Sequence, residues 1–152
     1  LPIFKVGGLT EVDMIERKHR KEDALEAVKS AQMEGILPGG GTALLKLSRD
    51  LDKVISVENQ DERFGVEIVM RACEEPVRKL SDNSGLKADV VTEKVLNMTD
   101  TFWNGMNFAT GEYMALDIAG VIDPAKVTRC ALQNAVSAAS TLLTTSHAII
   151  ET

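Results

Sequence analysis

Glu34-Gly35-Ile36-Leu37-Pro38-Gly39-Gly40-Gly41-Thr42-Ala43-Leu44 is the stretch on which the reading of this chain turns. A charged helix ends at Glu34-Gly35, Pro38 bars its continuation, three glycines follow, and a new periodic segment begins at Thr42. Glycine lacks a Cβ, so backbone N–H groups can approach an anion that a side chain would hold away. The first turn of a helix adds unpaired donors and the positive end of its dipole. Upstream, Glu22-Asp23 lies on the charged helix, and an aspartate reaching the same place could hold a metal or orient a water. Together these features sketch half of a nucleotide site. A glycine run also serves simply to end one helix and start the next, and that alternative stands beside the first.

Outward from the glycines, the chain reads as mainly helical. Ile3 to Gly8 has the pattern of a short strand. Thr10 is a good N-cap, with Asp13 as the acidic partner of a capping pair, for a helix from about Glu11 to Met33. That helix is apolar at both ends (Val12 and Ile15; Ala24, Val28 and Ala31) and charged from Glu16 to Asp23, the pattern of a helix bridging two bodies. Further helices are expected from Thr42 to Leu51, from Asp61 with Val66, Val69, Cys73 and Val77 on one stripe, and from Ala88 to Leu96. Pro76 should break or kink the Asp61 helix near Glu75. Residues 99–109 mix Asn, Gly and aromatics, as a turn or short hairpin does. Asp123 at N-cap and Pro124 at N1 should open the last helix, whose stripe Val127, Ala131, Ala135, Ala138 and Leu142 is expected to be buried. His147 to Ile150 looks like a final strand.

A chain of 152 residues can bury one real core. Aromatics are only 4 %, so that core must be aliphatic and alanine-rich, which suits close helix packing. The net charge of −6 argues against a general nucleic-acid or anionic-membrane surface, so neither partner is expected. No apolar run approaches the ~18 residues of a membrane-spanning helix, and no signal peptide is visible. Cys73 and Cys130 lie in apolar helical contexts without metal-ligand spacing, which reads as reduced core cysteines of an intracellular protein. His19 and His147 are isolated, and no metal site is expected.

Taken together, Lys5-Val6-Gly7-Gly8-Leu9-Thr10-Glu11-Val12, Glu22-Asp23-Ala24-Leu25, the Glu34–Leu44 stretch, Asn59-Gln60-Asp61-Glu62, Gly111-Glu112-Tyr113, Ile122-Asp123-Pro124-Ala125-Lys126-Val127-Thr128-Arg129 and Leu142-Leu143-Thr144-Thr145 resemble the group I chaperonins, the GroEL type. The blocks fall in family order over nearly the whole chain. The resemblance implies a mainly α fold, the C-terminal part of the chaperonin equatorial ATPase domain with short β segments. Residues 1–34 would be the returning segment of the intermediate domain, and 35–152 the C-terminal half of the equatorial domain.

Function follows from the same resemblance. The parent would be an ATP-hydrolysing chaperonin that encapsulates and refolds non-native polypeptides. It would work as a homo-oligomeric ring with a small co-chaperonin lid, in the cytoplasm or in a mitochondrial or plastid matrix. Its cofactors would be ATP and Mg2+, with K+. Asp23 would help activate the attacking water, or else be a solvated helix residue pairing with Arg20 or His19. Gly40, flanked by Gly39 and Gly41, would contact nucleotide through its backbone, and Asp123 would accept from the ribose while also capping its helix. Asn107, Phe108 and Ala109 fall in the adenine-contacting segment. Phe108 departs from the small residue usual there, and either stacks on the base or fills core. Glu11 would serve interdomain ion pairs. Arg78 and Lys87 stand where the bacterial archetype pairs opposite charges between rings. The family's phosphate-binding loop, of Asp-Gly-Thr-Thr type, and its polypeptide-binding apical domain would precede Leu1. This chain alone is therefore expected to be inactive. The alternative is a truncated chaperonin-like interaction module without an ATPase cycle.

Overall fold

The structure is a computed structural model that describes residues 3–150. Helix α1 (Glu11–Glu34) starts as its sequence dictates: the Thr10 hydroxyl accepts from the Asp13 N–H (3.2 Å). The Asp13 carboxylate reaches back to the N–H of Leu9 rather than of Thr10 (3.1 Å). No residue of α1 is buried. Its charged middle is laced by the i,i+4 pairs Asp13–Arg17, Glu16–Arg20 and Lys18–Glu22, each contributing about 0.3–0.5 kcal/mol.

The core lies between α2 (Thr42–Val54), α3 (Gln60–Asn83), α4 (Ala88–Asn97) and strand β2 (Asn104–Asn107). Leu45, Val77, Val91, Val95 and Met106 form its centre, with Leu96, Phe108 and Tyr113 packed around them. The aromatic residues stay at the edge and the centre is aliphatic, as the composition requires. Asn59 caps α3 by accepting from the Asp61 N–H (3.0 Å). Helix α3 continues through Pro76 instead of breaking there. A proline costs an interior helix about 3 kcal/mol, but Cys73, Val77 and Ser81 bury the turns on either side of it, and tertiary packing outweighs the lost bond. Lys46 donates to the carbonyls of Met98 (3.0 Å) and Thr101 (2.8 Å), and Arg49 to that of Leu96 (2.7 Å). Cations on α2 thereby satisfy carbonyls left open where α4 ends.

Strand β2 forms a hairpin with β3 (Glu112–Ala115), within the region read as a turn or short hairpin and just beyond it. Strand β1 (Ile36–Pro38) pairs antiparallel with β4 (Ile122–Pro124), placing Leu37 opposite Asp123. Two expected strands do not form: residues 3–8 and 147–150 take no partner among the described residues, and a strand's pattern without a ladder to join yields only irregular chain. The last helix, α5 (Ala125–Leu143), begins after β4. None of its residues is buried, so the stripe Val127, Ala131, Ala135, Ala138 and Leu142 is not covered here.

Candidate functional site around the glycine turn

Gly39, Gly40 and Gly41 join β1 to α2, and each is glycine for its own reason. The Gly39 N–H donates to the Val121 carbonyl (2.9 Å), and a Cβ on Gly39 would sit 3.0 Å from that oxygen. Gly40 and Gly41 have φ of 62° and 74°, the left-handed region that side chains disfavour. At Gly41 a Cβ would also press on the backbone nitrogen of Val77 at 2.9 Å. Gly40 has more room: its nearest neighbours would be the Met106 carbonyl oxygen at 3.5 Å and the ring atoms Cδ2 and Cε2 of Phe108 at 3.7 Å. The turn closes into α2 through Thr42 N–H to the Gly39 carbonyl and Leu45 N–H to the Gly41 carbonyl, both 3.1 Å. Among the described residues the N–H groups of Gly40 and Gly41 meet no acceptor. Two open donors at a helix start are what an oxyanion or a ligand oxygen needs.

Asp123 lies in β4, two strand positions before α5. The expected N-cap role is therefore wrong: Pro124 occupies the N-cap, with no side-chain cap bond. Pairing with β1 holds residue 123 in the ladder and delays the helix by one residue. The Asp123 carboxyl is half-buried, accepts no hydrogen bond among the described residues, and is pushed above its ordinary pKa by burial. It lines a cleft of ≈ 270 Å³ with Pro38, Gly41, Pro76, Val127 and Ala131. A half-buried carboxylate without a donor is suited to receive hydroxyl groups of a ligand.

The third wall is the hairpin. The Asn107 side-chain oxygen accepts from the Ala109 N–H (3.0 Å), and its amide nitrogen lies 3.9 Å from the Met114 sulfur. Phe108, half-buried, leans on the core with its ring atoms Cδ2 and Cε2 toward Gly40. The structure thus gathers Gly39, Gly40, Gly41, Phe108 and Asp123 about one turn, with Asn107 and Ala109 adjoining. Asp23 is exposed on the middle of α1 and does not line the cleft of Asp123. The pairing of Asp23 with Arg20 is not formed either, since Arg20 bonds Glu16. A second cleft, ≈ 330 Å³, lies apart from the glycine turn among Lys46, Arg49, Asp50, Lys53 and Phe102. Lys46 and Arg49 there are engaged by the carbonyls beyond α4.

Two ion-pair clusters escaped the sequence reading. Arg129 on α5 forms a two-pronged bond with Glu34 at the end of α1 (2.9 and 2.6 Å), and the hydrogen bond to Arg129 holds Glu34 below the usual carboxylate range. Lys126 beside it lies 3.0 Å from the Met33 sulfur. The residues were visible within the motifs at 34 and 129, but nothing in their spacing pairs them, because the β1–β4 ladder makes the contact. Arg78 is neutralised within the chain by Asp89 (2.6 Å) and Glu74 (3.5 Å), so it is not the open cation that the comparison with Lys87 suggested.

Residues 2–152 match the sequence model of the TCP-1/cpn60 chaperonin family. The fold is similar to a solved structure, described as a group III chaperonin in the open state, with TM-score 0.81 and 28 % identity. The match covers 95 % of this chain and 30 % of that one, so the chain spans about a third of the chaperonin's length.

Proposed function

Since the chain belongs to the TCP-1/cpn60 chaperonin family, we propose that it forms one wall of the ATP site in a subunit of an ATP-driven protein-folding ring. The observation that carries this reading is the meeting of open N–H donors at Gly40 and Gly41 with the half-buried carboxyl of Asp123 beside the Asn107–Ala109 loop. These groups suit a nucleotide: backbone donors for its oxygens, a carboxylate for sugar hydroxyls, and a half-buried aromatic near the turn. ATP with Mg2+, and K+ beside it, would supply the phosphoryl group to be cleaved. Gly39, Gly40 and Gly41 would fix the nucleotide by backbone contact, Asp123 would hold the ribose, and Asn107, Phe108 and Ala109 would border the base. Asp23 would orient the attacking water once α1 is brought over the site by a movement about its lower end, where Glu34 and Arg129 hold it to α5.

Residues 1–34 would accordingly belong to the moving intermediate domain and 35–152 to the equatorial domain. α1 supports that division, with none of its residues buried. The quoted sequence blocks favour a group I machine, with a ring of identical subunits, a small co-chaperonin lid and non-native polypeptides as clients, in the cytoplasm or an organelle matrix.

The test is ATP turnover by the full-length protein. Asp23→Ala should leave nucleotide binding intact and lower turnover about 100-fold or more. Turnover within two-fold of the unmutated protein would remove Asp23 from the mechanism. Absence of turnover in the unmutated full-length protein would favour an interaction module instead.

A further inference from the structure

The cleft of ≈ 330 Å³ between α2 and the chain after α4 has no part in the nucleotide reading, and its lining divides by chemistry. Lys46, Arg49 and Lys53 recur at helical spacing on α2 and bring three cations to one side. Leu96, Met98 and Phe102 bring apolar surface. Among the described residues one acid, Asp50, lines the cleft, and Lys53 bonds it at 2.6 Å. In a chain of net charge −6, this local excess of positive charge runs against the whole. Lys46 and Arg49 meet no carboxylate among the described residues. Both bond neutral carbonyls, Lys46 those of Met98 and Thr101 (3.0 and 2.8 Å) and Arg49 that of Leu96 (2.7 Å). Those bonds hold the two charged heads in place, so little side-chain freedom is left to lose on binding. They use two of the three donors of an ammonium and one of the five of a guanidinium. Burial disfavours the Lys46 charge and pushes its pKa down. Carbonyl dipoles offset that in part, and an anion beside the ammonium would offset it further.

We propose that this cleft binds a small phosphate monoester, its phosphate taken by Lys46 and Arg49 and its apolar body laid against Leu96, Met98 and Phe102. A guanidinium offers paired N–H donors that match phosphate oxygens, and an ammonium adds a point charge. Phe102 is 39 % exposed, so part of its apolar surface is open to a ligand. A long polyanion such as a nucleic acid fits less well, because the net charge of −6 would repel the strand on either side of the cleft. The inference stands independently of the nucleotide-site reading, since the two clefts share no lining residue.

The experiment uses the full-length protein in low-salt buffer with saturating ADP and Mg2+, so that phosphate at a nucleotide site is not what is read. Phenyl phosphate and inorganic phosphate are titrated calorimetrically. Phenyl phosphate should bind saturably with a Kd of about 1 mM or tighter, and inorganic phosphate more weakly, because it lacks the apolar body. No saturable binding, or equal affinity for the two, would overturn the proposal. Arg49→Gln removes a charge while leaving an amide that can donate to the Leu96 carbonyl, and should weaken phenyl phosphate about ten-fold. Asp50→Asn removes the lining acid without touching any of the three carbonyl bonds, and should tighten it. Phosphate held anywhere else would feel neither change, so unchanged affinity in a normally melting Arg49→Gln protein would overturn the proposal. Should that variant fail to fold, Asp50→Asn decides alone: unchanged or weaker binding would overturn it.

Discussion

Asp123 carries the most information of any single residue here. Its carboxyl is half-buried without a donor, and burial raises its pKa above the ordinary 3.8. Ionisation is then costlier in the folded chain than in the unfolded one. The penalty is absent below about pH 3.8, grows as pH rises through the raised folded value, and is complete above it. Asp123→Asn removes the charge, so without nucleotide the variant should melt higher than the unmutated chain at neutral pH, the gap closing as pH falls. Nucleotide binding by the full-length variant should weaken. A pH series of thermal melts with a constant gap, or with the variant melting lower, would contradict this. The sequence placed Asp123 beside a helix start but not in a strand, because β4 exists only through its pairing with β1. The glycines show the converse: their backbone freedom was legible, while the contacts that fix Gly39 to Val121 and Gly41 to Val77 come from chain 36–82 residues away and left no local sign.

Among the elements, the helices were legible, and of the strands only the hairpin was. Apolar periodicity and capping residues marked α1, α2, α4 and the start of α3 to within a few residues. Strands of three or four residues carry too few positions to show alternation, and residues 3–8 and 147–150 have strand-forming residues but no partner among the described residues. Pro76 misled because a local rule was applied where burial decides. The more consequential surprise is α5. Its stripe reads as core, yet Val127 is 50 % exposed and Leu142 73 %. On α1, Val28 is 57 % exposed. Two packed helices with uncovered apolar positions make a surface that water disfavours, and in the family reading the rest of the equatorial domain covers it. The 152-residue chain by itself should therefore bind an apolar dye and self-associate with concentration. Sedimentation showing one monomeric species at high concentration, with no dye binding, would contradict that.

At the scale of the whole molecule, the chain is a well-packed core of three helices and a hairpin, with α1 and α5 packed on each other and on β4, and the glycine turn joining β1 to the core. The family and the helical equatorial fold follow from a match over residues 2–152 and from the TM-score of 0.81. The fraction of the chaperonin spanned, 30 %, bears on the chemistry. Open donors at Gly40 and Gly41, the Asp123 carboxyl and the Phe108 ring can border a nucleotide, but among the described residues no lysine or arginine lines the cleft of Asp123 to meet a triphosphate. The phosphate loop implied by the family resemblance would complete the site from elsewhere in the full-length protein. The most direct measurement is a calorimetric titration of ATP with Mg2+ into the purified 152-residue chain and, in parallel, into the full-length protein. The account predicts saturable binding by the full-length protein and very weak or no binding by the chain alone. Equal affinity in the two would contradict the claim that this chain holds only one wall of the site.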